Sequence, residues 1–132
     1  MRISLSMMYG ALIVAGLSAP TAALADGDAV AGAKVFKKCA ACHTATEAKN
    51  KVGPHLVGII DRPMASVEDY KYSKAMTEHA AEVPAWTVEA LEAYLKDPKG
   101  VVKGTKMAFA GLKKDDEIEN VIAYLKDPAA AE

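Results

Sequence analysis

The residues of this chain that are best suited to chemistry stand together at positions 39–43, where the sequence reads CAACH. Cys39 and Cys42 are its only two cysteines, and His43 directly follows the second one. This spacing is typical of a c-type haem attachment site, because each thiol can add across one vinyl group of a porphyrin. A helical turn keeps both thiols on one side of the ring, and the His43 imidazole can then bind the iron as proximal ligand.

Other uses of two cysteines fit the sequence less well. A thioredoxin-type dithiol stands in a βαβ context, and no such pattern surrounds these residues. A structural zinc site needs four Cys or His ligands, usually as two pairs, and the sequence has no second cysteine pair. A plain disulfide and two unused thiols stay open as alternatives. The motif itself favours haem attachment.

A low-spin electron-transfer haem usually takes a second axial ligand from the protein. The thioether and imidazole side chains available for this role are Met64, Met76, Met107, His55 and His79. Met107 stands apart because it follows Gly104 in a loop between predicted helices, where the backbone can aim its sulfur at the iron. Met64 and Met76 fit core packing better, and His55 would need a reversal of the chain.

The first 25 residues have the pattern of a secretory leader. Arg2 supplies a positive start, an apolar run spans residues 7–17, and residues 23–25 read ALA shortly after Pro20. The run is too short for a helix that spans a bilayer, so a retained anchor is the weaker interpretation. We therefore expect residues 1–25 to be a cleaved signal peptide and residues 26–132 to form one exported domain. Export from the cytoplasm is compatible with haem attachment to the two cysteines.

Charge and length restrict the function classes. Loss of Arg2 lowers the count of lysines and arginines from 16 to 15 against 17 acids, which leaves a polypeptide of net charge −2. This balance argues against nucleic-acid binding and against a polybasic membrane anchor. At this length a single small core supplies only marginal stability, and a covalently held apolar macrocycle is one way to add buried surface.

Four segments carry helical signals, which predicts an all-α fold. They are residues 29–39, 73–82, 88–96 and 115–127. Asp28 precedes the first, and Thr87 is a good N-cap for the third, which Pro98 follows. The fourth opens with three acids, repeats apolar side chains at i, i+3, i+4 and i+7, and ends before Pro128.

The two long stretches between these segments, residues 44–72 and 99–114, show little periodicity. Loops of this length are unusual inside a small domain. A bound macrocycle would give their apolar side chains a surface to pack on. The sequence therefore predicts end helices with loop-rich coverage of a haem between them.

Taken together, these residues resemble class I cytochromes c, the small soluble single-haem proteins of mitochondria and bacterial periplasms. The similarity covers residues 28–127 in order, and its most specific part is the GTKMAFAG of residues 104–111. Further matching positions are Gly32, Phe36, the VGPHL of residues 52–56, Arg62, Tyr72, Trp86, Tyr94, Leu95, Leu112, Tyr124 and Leu125. The resemblance implies a cytochrome c fold, with crossing N- and C-terminal helices and with loops and short helices wrapping one covalently bound haem c.

The resemblance also implies roles for particular residues. Cys39 and Cys42 would hold the haem vinyls, with His43 and Met107 as axial iron ligands. The Pro54 carbonyl would accept a hydrogen bond from His43 and so tune its basicity.

Four further side chains would form the haem environment. Arg62, Tyr72 and Trp86 would surround the propionates, where donors neutralise buried negative charge. Tyr94 would lie near the sulfur of the distal ligand. Gly32, outside the site, would let the first helix cross the last one closely.

The chain departs from this family pattern in three respects. Ala75 and Met76 occupy the neighbourhood in which many relatives carry an asparagine, and Lys103 stands where relatives have proline before the distal ligand. The first change predicts a different internal polar network, and the second predicts a more mobile loop around Met107. The predicted mature chain is mildly acidic, whereas the mitochondrial proteins are strongly basic.

By resemblance, the chain is a periplasmic electron carrier, not an enzyme, that cycles between Fe(II) and Fe(III). We expect a monomer without a transmembrane anchor. Its expected partners are a membrane quinol-oxidising bc complex, a terminal oxidase, a reaction centre, or a periplasmic reductase or dehydrogenase. Lysines expected around the haem edge are Lys37, Lys38, Lys99, Lys106, Lys113 and Lys114. Two alternatives stay open: a haem-based gas sensor with an open sixth position, and a dedicated electron-accepting subunit of one dehydrogenase.

Overall fold

The computed structural model describes residues 27–132, and the predicted leader lies outside this range. Its helices are α1 (Ala29–Phe36), α2 (Lys74–Glu82), α3 (Val88–Lys96), α4 (Pro98–Val101) and α5 (Asp115–Lys126), followed by a 3-10 helix at Pro128–Ala131. The described residues contain no strand, and an isolated β-bridge joins Pro63 to Ala85. The described chain is therefore all-α, which confirms the predicted fold class. Within residues 27–132, no helix is long and apolar enough to cross a membrane.

Helix α1 begins where the sequence predicts but ends earlier. The Asp28 side chain caps it by accepting hydrogen bonds from the amides of Val30 and Ala31, at 2.8 and 3.1 Å. The predicted end at residue 39 is wrong, because the α-helical stretch stops at Phe36. The following amides bond three residues back, as in the 2.7 Å bond from the Cys39 amide to the Phe36 carbonyl. These tighter turns carry the chain on to the CAACH motif.

Helices α1 and α5 pack closely against each other at Gly32. A Cβ on this residue would lie 1.9 Å from the carbonyl oxygen of Asn120, so the approach requires glycine. The Asp28 amide donates to the Asn120 side-chain oxygen at 2.7 Å. The rings of Phe36 and Tyr124 lie 5.2 Å apart, centre to centre. The predicted contact between the two end helices is thus present.

Helices α2 and α3 begin at polar caps, and α4 is an addition to the predicted set. The side chains of Ser73 and Thr87 each accept a hydrogen bond from an amide three residues on, at 3.1 Å. Residues 99–101 were expected in a loop. They are helical because Pro98 suits the first helical position and Asp97 accepts a bond from the Gly100 amide at 3.0 Å.

One apolar core joins the helices to the long loops. Its buried members are Val35, Phe36, Ala45, Ile59, Met64, Trp86, Leu91, Tyr94, Val102, Leu112, Ile118, Val121, Ile122 and Leu125. Ala45, Ile59 and Met64 belong to the loop of residues 44–72, and Leu112 belongs to the loop before α5. Both loops therefore contribute buried side chains to the core, although neither shows a periodic pattern of apolar residues.

Candidate functional site

Cys39, Cys42 and His43 lie on the turns that follow α1. The amides of Cys42 and His43 both bond to the Cys39 carbonyl, at 3.0 and 2.9 Å, so one turn carries all three side chains. Both cysteine side chains are partly buried. Burial raises the pKa of the Cys39 thiol, while the positive charge of Lys38 acts in the opposite direction. Within residues 27–132, no three His, Cys, Asp or Glu side chains form a group that could hold a metal ion.

The His43 ring is held in one orientation by the loop that follows it. Its Nδ1 lies 2.7 Å from the Pro54 carbonyl oxygen. Because a carbonyl only accepts, Nδ1 carries the proton and Nε2 keeps a free lone pair in the neutral ring. Burial lowers the pKa of His43, which favours the neutral ring; the Pro54 bond opposes this effect and the charge of Arg62 adds to it. A Cβ on Gly53 would lie 2.3 Å from His43 Cε1, so glycine makes room for the ring.

Met107 lies on the loop between α4 and α5, beside a hydrogen-bonded pair of hydroxyls. The Tyr94 hydroxyl lies 3.1 Å from the Thr105 hydroxyl and 4.0 Å from Met107 Sδ. The Met107 amide donates to Thr105 Oγ1 at 3.3 Å. Gly104 supports the preceding turn with φ 87°, a value that favours glycine. Burial raises the pKa of Tyr94, against the effect of its bond to Thr105, so the phenol stays protonated as a donor.

These groups line one cavity of about 340 Å³, which also collects apolar side chains from four helices and both long loops. Its apolar lining includes Phe36, Leu56, Ile59, Met76, Trp86, Leu91, Leu95, Phe109, Val121 and Leu125. The volume falls in the range of roughly 300–1,000 Å³ that is usual for cofactor pockets. All nine residues that the sequence analysis assigned to the site line this cavity: Cys39, Cys42, His43, Pro54, Arg62, Tyr72, Trp86, Tyr94 and Met107. Their individual roles toward a cofactor stay predictions.

Arg62 contributes a guanidinium group to the cavity wall. Its Nη1 donates to the Val57 carbonyl at 3.1 Å, while its buried Nε has no hydrogen-bond partner among the described residues. Burial lowers the pKa of the guanidinium, and Tyr72 opposes this effect. The Tyr72 hydroxyl accepts from the Val67 amide at 3.1 Å, so its own hydrogen can still be donated. An unpartnered cationic donor in an apolar cavity is suited to an anionic group.

The donor set in this cavity suits a haem. Two thiols on one turn can form thioether bonds, and a neutral imidazole can bind iron through Nε2. A thioether can serve as a second iron ligand, and the orphaned Arg62 Nε suits a carboxylate. The apolar lining supplies the dry surroundings that a porphyrin ring requires.

Comparison with known proteins decides the family. The model of the cytochrome c family matches residues 29–128, which is most of the chain. The chain belongs to the cytochrome c family. As a class I cytochrome c it carries one covalently bound haem c and is a single-haem electron carrier rather than an enzyme.

Individual relatives agree with this family. Cytochrome c2 of Rhodospirillum rubrum is 53% identical over 114 residues, covering 80% of this chain and 84% of the relative. Cytochrome c-550 of Ancylobacter novellus is 53% identical over 96 residues, covering 72% and 90%. Among solved structures, cytochrome cH from Methylobacterium extorquens matches with a TM-score of 0.69 and 39% identity, covering 76% of this chain and 98% of that one.

The remaining ligand candidates of this cytochrome c separate by position. Met76 lines the cavity, whereas Met64, His55 and His79 do not. Met64 is buried in the core, as its core-packing interpretation predicts. Tyr70 also lines the cavity but was not predicted as a site residue. Its spacing of two residues from Tyr72 is the only local pattern that points to the site, and its other contacts are with distant segments.

Proposed function

We propose that this cytochrome c is a periplasmic electron carrier whose iron is held by His43 and Met107 and whose porphyrin is bonded to Cys39 and Cys42. The observation that carries the proposal is that all four side chains line one cavity. His43 already donates from Nδ1 to the Pro54 carbonyl at 2.7 Å, which leaves Nε2 as the metal-binding atom.

The haem supplies one-electron cycling between Fe(II) and Fe(III), and the chain controls the conditions for it. The Pro54 carbonyl fixes the His43 ring and raises its basicity as a ligand. Tyr94 and Thr105 hold the Met107 side of the cavity through their shared hydroxyl contact. Apolar side chains exclude water, so little solvent reorganises when the charge changes. A neutral thioether ligand favours the reduced iron and hence a positive potential.

The polar wall of the cavity is assigned to the propionates. Arg62 would use its unpartnered Nε, and Tyr72 would use the hydroxyl hydrogen that its bond with the Val67 amide leaves available. Trp86 is buried beside Tyr94, with ring centres 5.0 Å apart, and closes this wall. A cation and a neutral donor would offset the cost of burying carboxylates.

Export and partners belong to the same proposal. The positive start, short apolar run and ALA site of residues 1–25 support a leader that directs the domain to the periplasm. The similarity to cytochrome c2 and cytochrome c-550 supports a mobile carrier. The partner classes that fit are a quinol-oxidising bc complex, a terminal oxidase, a reaction centre, or a periplasmic reductase or dehydrogenase.

Removal of Met107 tests the ligand assignment. The oxidised wild-type holoprotein should show the weak near-infrared band of sulfur-to-iron charge transfer. Met107→Ala should abolish this band, admit imidazole or cyanide, and lower the reduction potential by about tenths of a volt, within the roughly 0.8 V range that axial ligands span. Near-infrared absorption and redox titration measure these effects.

The matched control is Met76→Leu, which removes the other thioether in the cavity wall. It should keep the band and alter the potential far less. A band lost in Met76→Leu and kept in Met107→Ala would transfer the ligand role to Met76. A wild-type protein that lacks the band and binds gases readily would favour the sensor function instead.

A further inference from the structure

The loop that carries Met107 has few backbone anchors of its own. We define the distal loop as residues 105–111. Its ends are fixed by the bond from the Thr105 amide to the Val102 carbonyl, at 3.0 Å, and by the bond from the Leu112 amide to the Leu95 carbonyl, at 2.8 Å. In the described part of the chain, no backbone–backbone hydrogen bond involves residues 106–111. Side chains must therefore hold the middle of this loop.

The Lys113 ammonium bonds locally to the Ala110 carbonyl at 3.0 Å, and two further side-chain contacts fix the distal loop to other segments. Inside the cavity, the Tyr94 hydroxyl contacts Thr105 and lies near Met107. At the rim, the Lys106 ammonium donates to the Lys71 carbonyl. The same ammonium lies 4.8 Å from the centre of the Tyr70 ring. The second contact joins the distal loop to a segment that is about 35 residues earlier in the chain.

Tyr70 in turn reaches the loop that follows His43. Its hydroxyl donates to the Val52 carbonyl at 3.1 Å, and Val52 directly precedes the glycine that packs on the His43 ring. Tyr70 also packs edge-on against Tyr72, with ring centres 4.9 Å apart and an interplanar angle of 75°. The neighbouring Asp69 accepts a hydrogen bond from the Asn50 side chain at 2.9 Å, which fixes the same two segments together.

We propose that Tyr70 is a positioning residue that holds the distal loop, through Lys106, against the loop that follows His43. It thereby sets how readily Met107 gives up its place to an external ligand. This inference rests on the proposed role of Met107 as an iron ligand. Tyr70 touches neither Met107 nor His43 in the contacts above, so its effect passes through Lys106 on one side and Val52 on the other.

Both contacts of Tyr70 are of modest strength. A cation–π contact at an exposed site changes an equilibrium constant a few-fold. A single hydrogen bond changes it by a similar factor. Tyr70→Phe removes only the bond to Val52, whereas Tyr70→Leu also removes the ring beneath Lys106. The two variants should therefore form a graded series.

The experiment is an imidazole titration of the oxidised holoprotein, followed in the visible spectrum. We expect imidazole to bind about threefold more tightly to Tyr70→Phe and about tenfold more tightly to Tyr70→Leu than to the wild type. At zero imidazole the near-infrared band should persist in every variant, because Met107 itself is unchanged. The control is Tyr124→Phe, whose ring packs on Phe36 at the α1–α5 contact, and it should bind imidazole as the wild type does.

Lys106→Leu separates a positioning role from a general loss of stability. It should tighten imidazole binding about threefold in the wild type but less in Tyr70→Leu, where the contact with the ring is already lost and only the bond to the Lys71 carbonyl remains to be removed. If the effects of the two substitutions on imidazole affinity multiply in full, the inference is overturned. It is also overturned if the Tyr70 variants bind imidazole as the wild type does while the near-infrared band is present. A wild type without the band would overturn the ligand role of Met107 and this inference together.

Discussion

At the scale of single residues, Arg62 shows how a partly buried charge reveals the chemistry of its site. It is the single arginine in residues 27–132, although the chain has many lysines. A guanidinium presents planar donors that match a carboxylate, whereas an ammonium acts as a point charge. The buried Nε has no partner among the described residues, and such a donor is costly unless something accepts its bond. A haem propionate is the acceptor that the proposed function supplies.

Replacement of Arg62 tests this assignment. Arg62→Met should lower the reduction potential, because loss of a positive charge near the iron stabilises the ferric state. It should also destabilise the holoprotein by about 1–3 kcal/mol, since a buried anionic acceptor would lose its donor. Redox titration and denaturant unfolding measure the two effects. Arg62→Lys, which keeps the charge, should restore most of the potential and only part of the stability; equal potentials in Arg62→Met and wild type would contradict the assignment.

At the scale of elements, the sequence predicts the helix boundaries that depend on residues close to them in the chain. The starts of α1, α2 and α3 follow from Asp28, Ser73 and Thr87, because a cap acts within a few residues. The end of α1 was placed three residues too late, since the change from α-helical to tighter bonding has no distinct sequence signal. The short helix α4 was missed because Pro98, which ends one helix, also suits the start of another.

The cavity was predictable to the extent that its residues carry a motif. The CAACH and GTKMAFAG segments gave the four proposed bonding residues without any coordinates. Tyr70 has no such motif, and its position depends on Val52 and Lys106, which come from other parts of the chain. Long-range contacts of this kind leave no periodicity, so the structure was needed to find them.

The contact between α1 and α5 provides a prediction with a clear sign. In an exposed helix, Gly→Ala stabilises by roughly 1 kcal/mol. At Gly32 a Cβ would lie 1.9 Å from a backbone oxygen of α5, so Gly32→Ala should instead destabilise by about 1–3 kcal/mol. Denaturant unfolding of the holoprotein measures this. Val30→Ala, at a half-exposed position of the same helix, should stay within about 0.5 kcal/mol of wild type, and a more stable Gly32→Ala would contradict the packing.

At the scale of the whole molecule, a net negative chain can still present a positive face. Of the six lysines expected around the haem edge, Lys38 and Lys106 line the cavity. Lys106 is also bonded to the Lys71 carbonyl, so changing its charge would disturb the distal loop as well as docking. Lys51 lies beside the attachment segment, because it donates to the Ala40 carbonyl at 2.7 Å, within the CAACH motif. Lys38 and Lys51 therefore both stand beside the haem attachment segment, and an ion pair with Glu117 at 2.9 Å offsets part of the charge of Lys38.

If this face docks on acidic partners, its charges should control the association rate. Electron transfer to a membrane oxidase or reductase should slow steeply with added salt, because charges are screened beyond a Debye length of roughly 8–10 Å. Lys38→Gln with Lys51→Gln should slow second-order association about tenfold at low salt and flatten its salt dependence, while the potential changes little. Lys126→Gln, in the last turn of α5 and outside the cavity wall, is the control for a lysine lost elsewhere on the surface and should keep the wild-type rate. Stopped-flow kinetics over a range of ionic strength measure this; rates that do not respond to salt or to the double variant would place docking on another face or make it apolar.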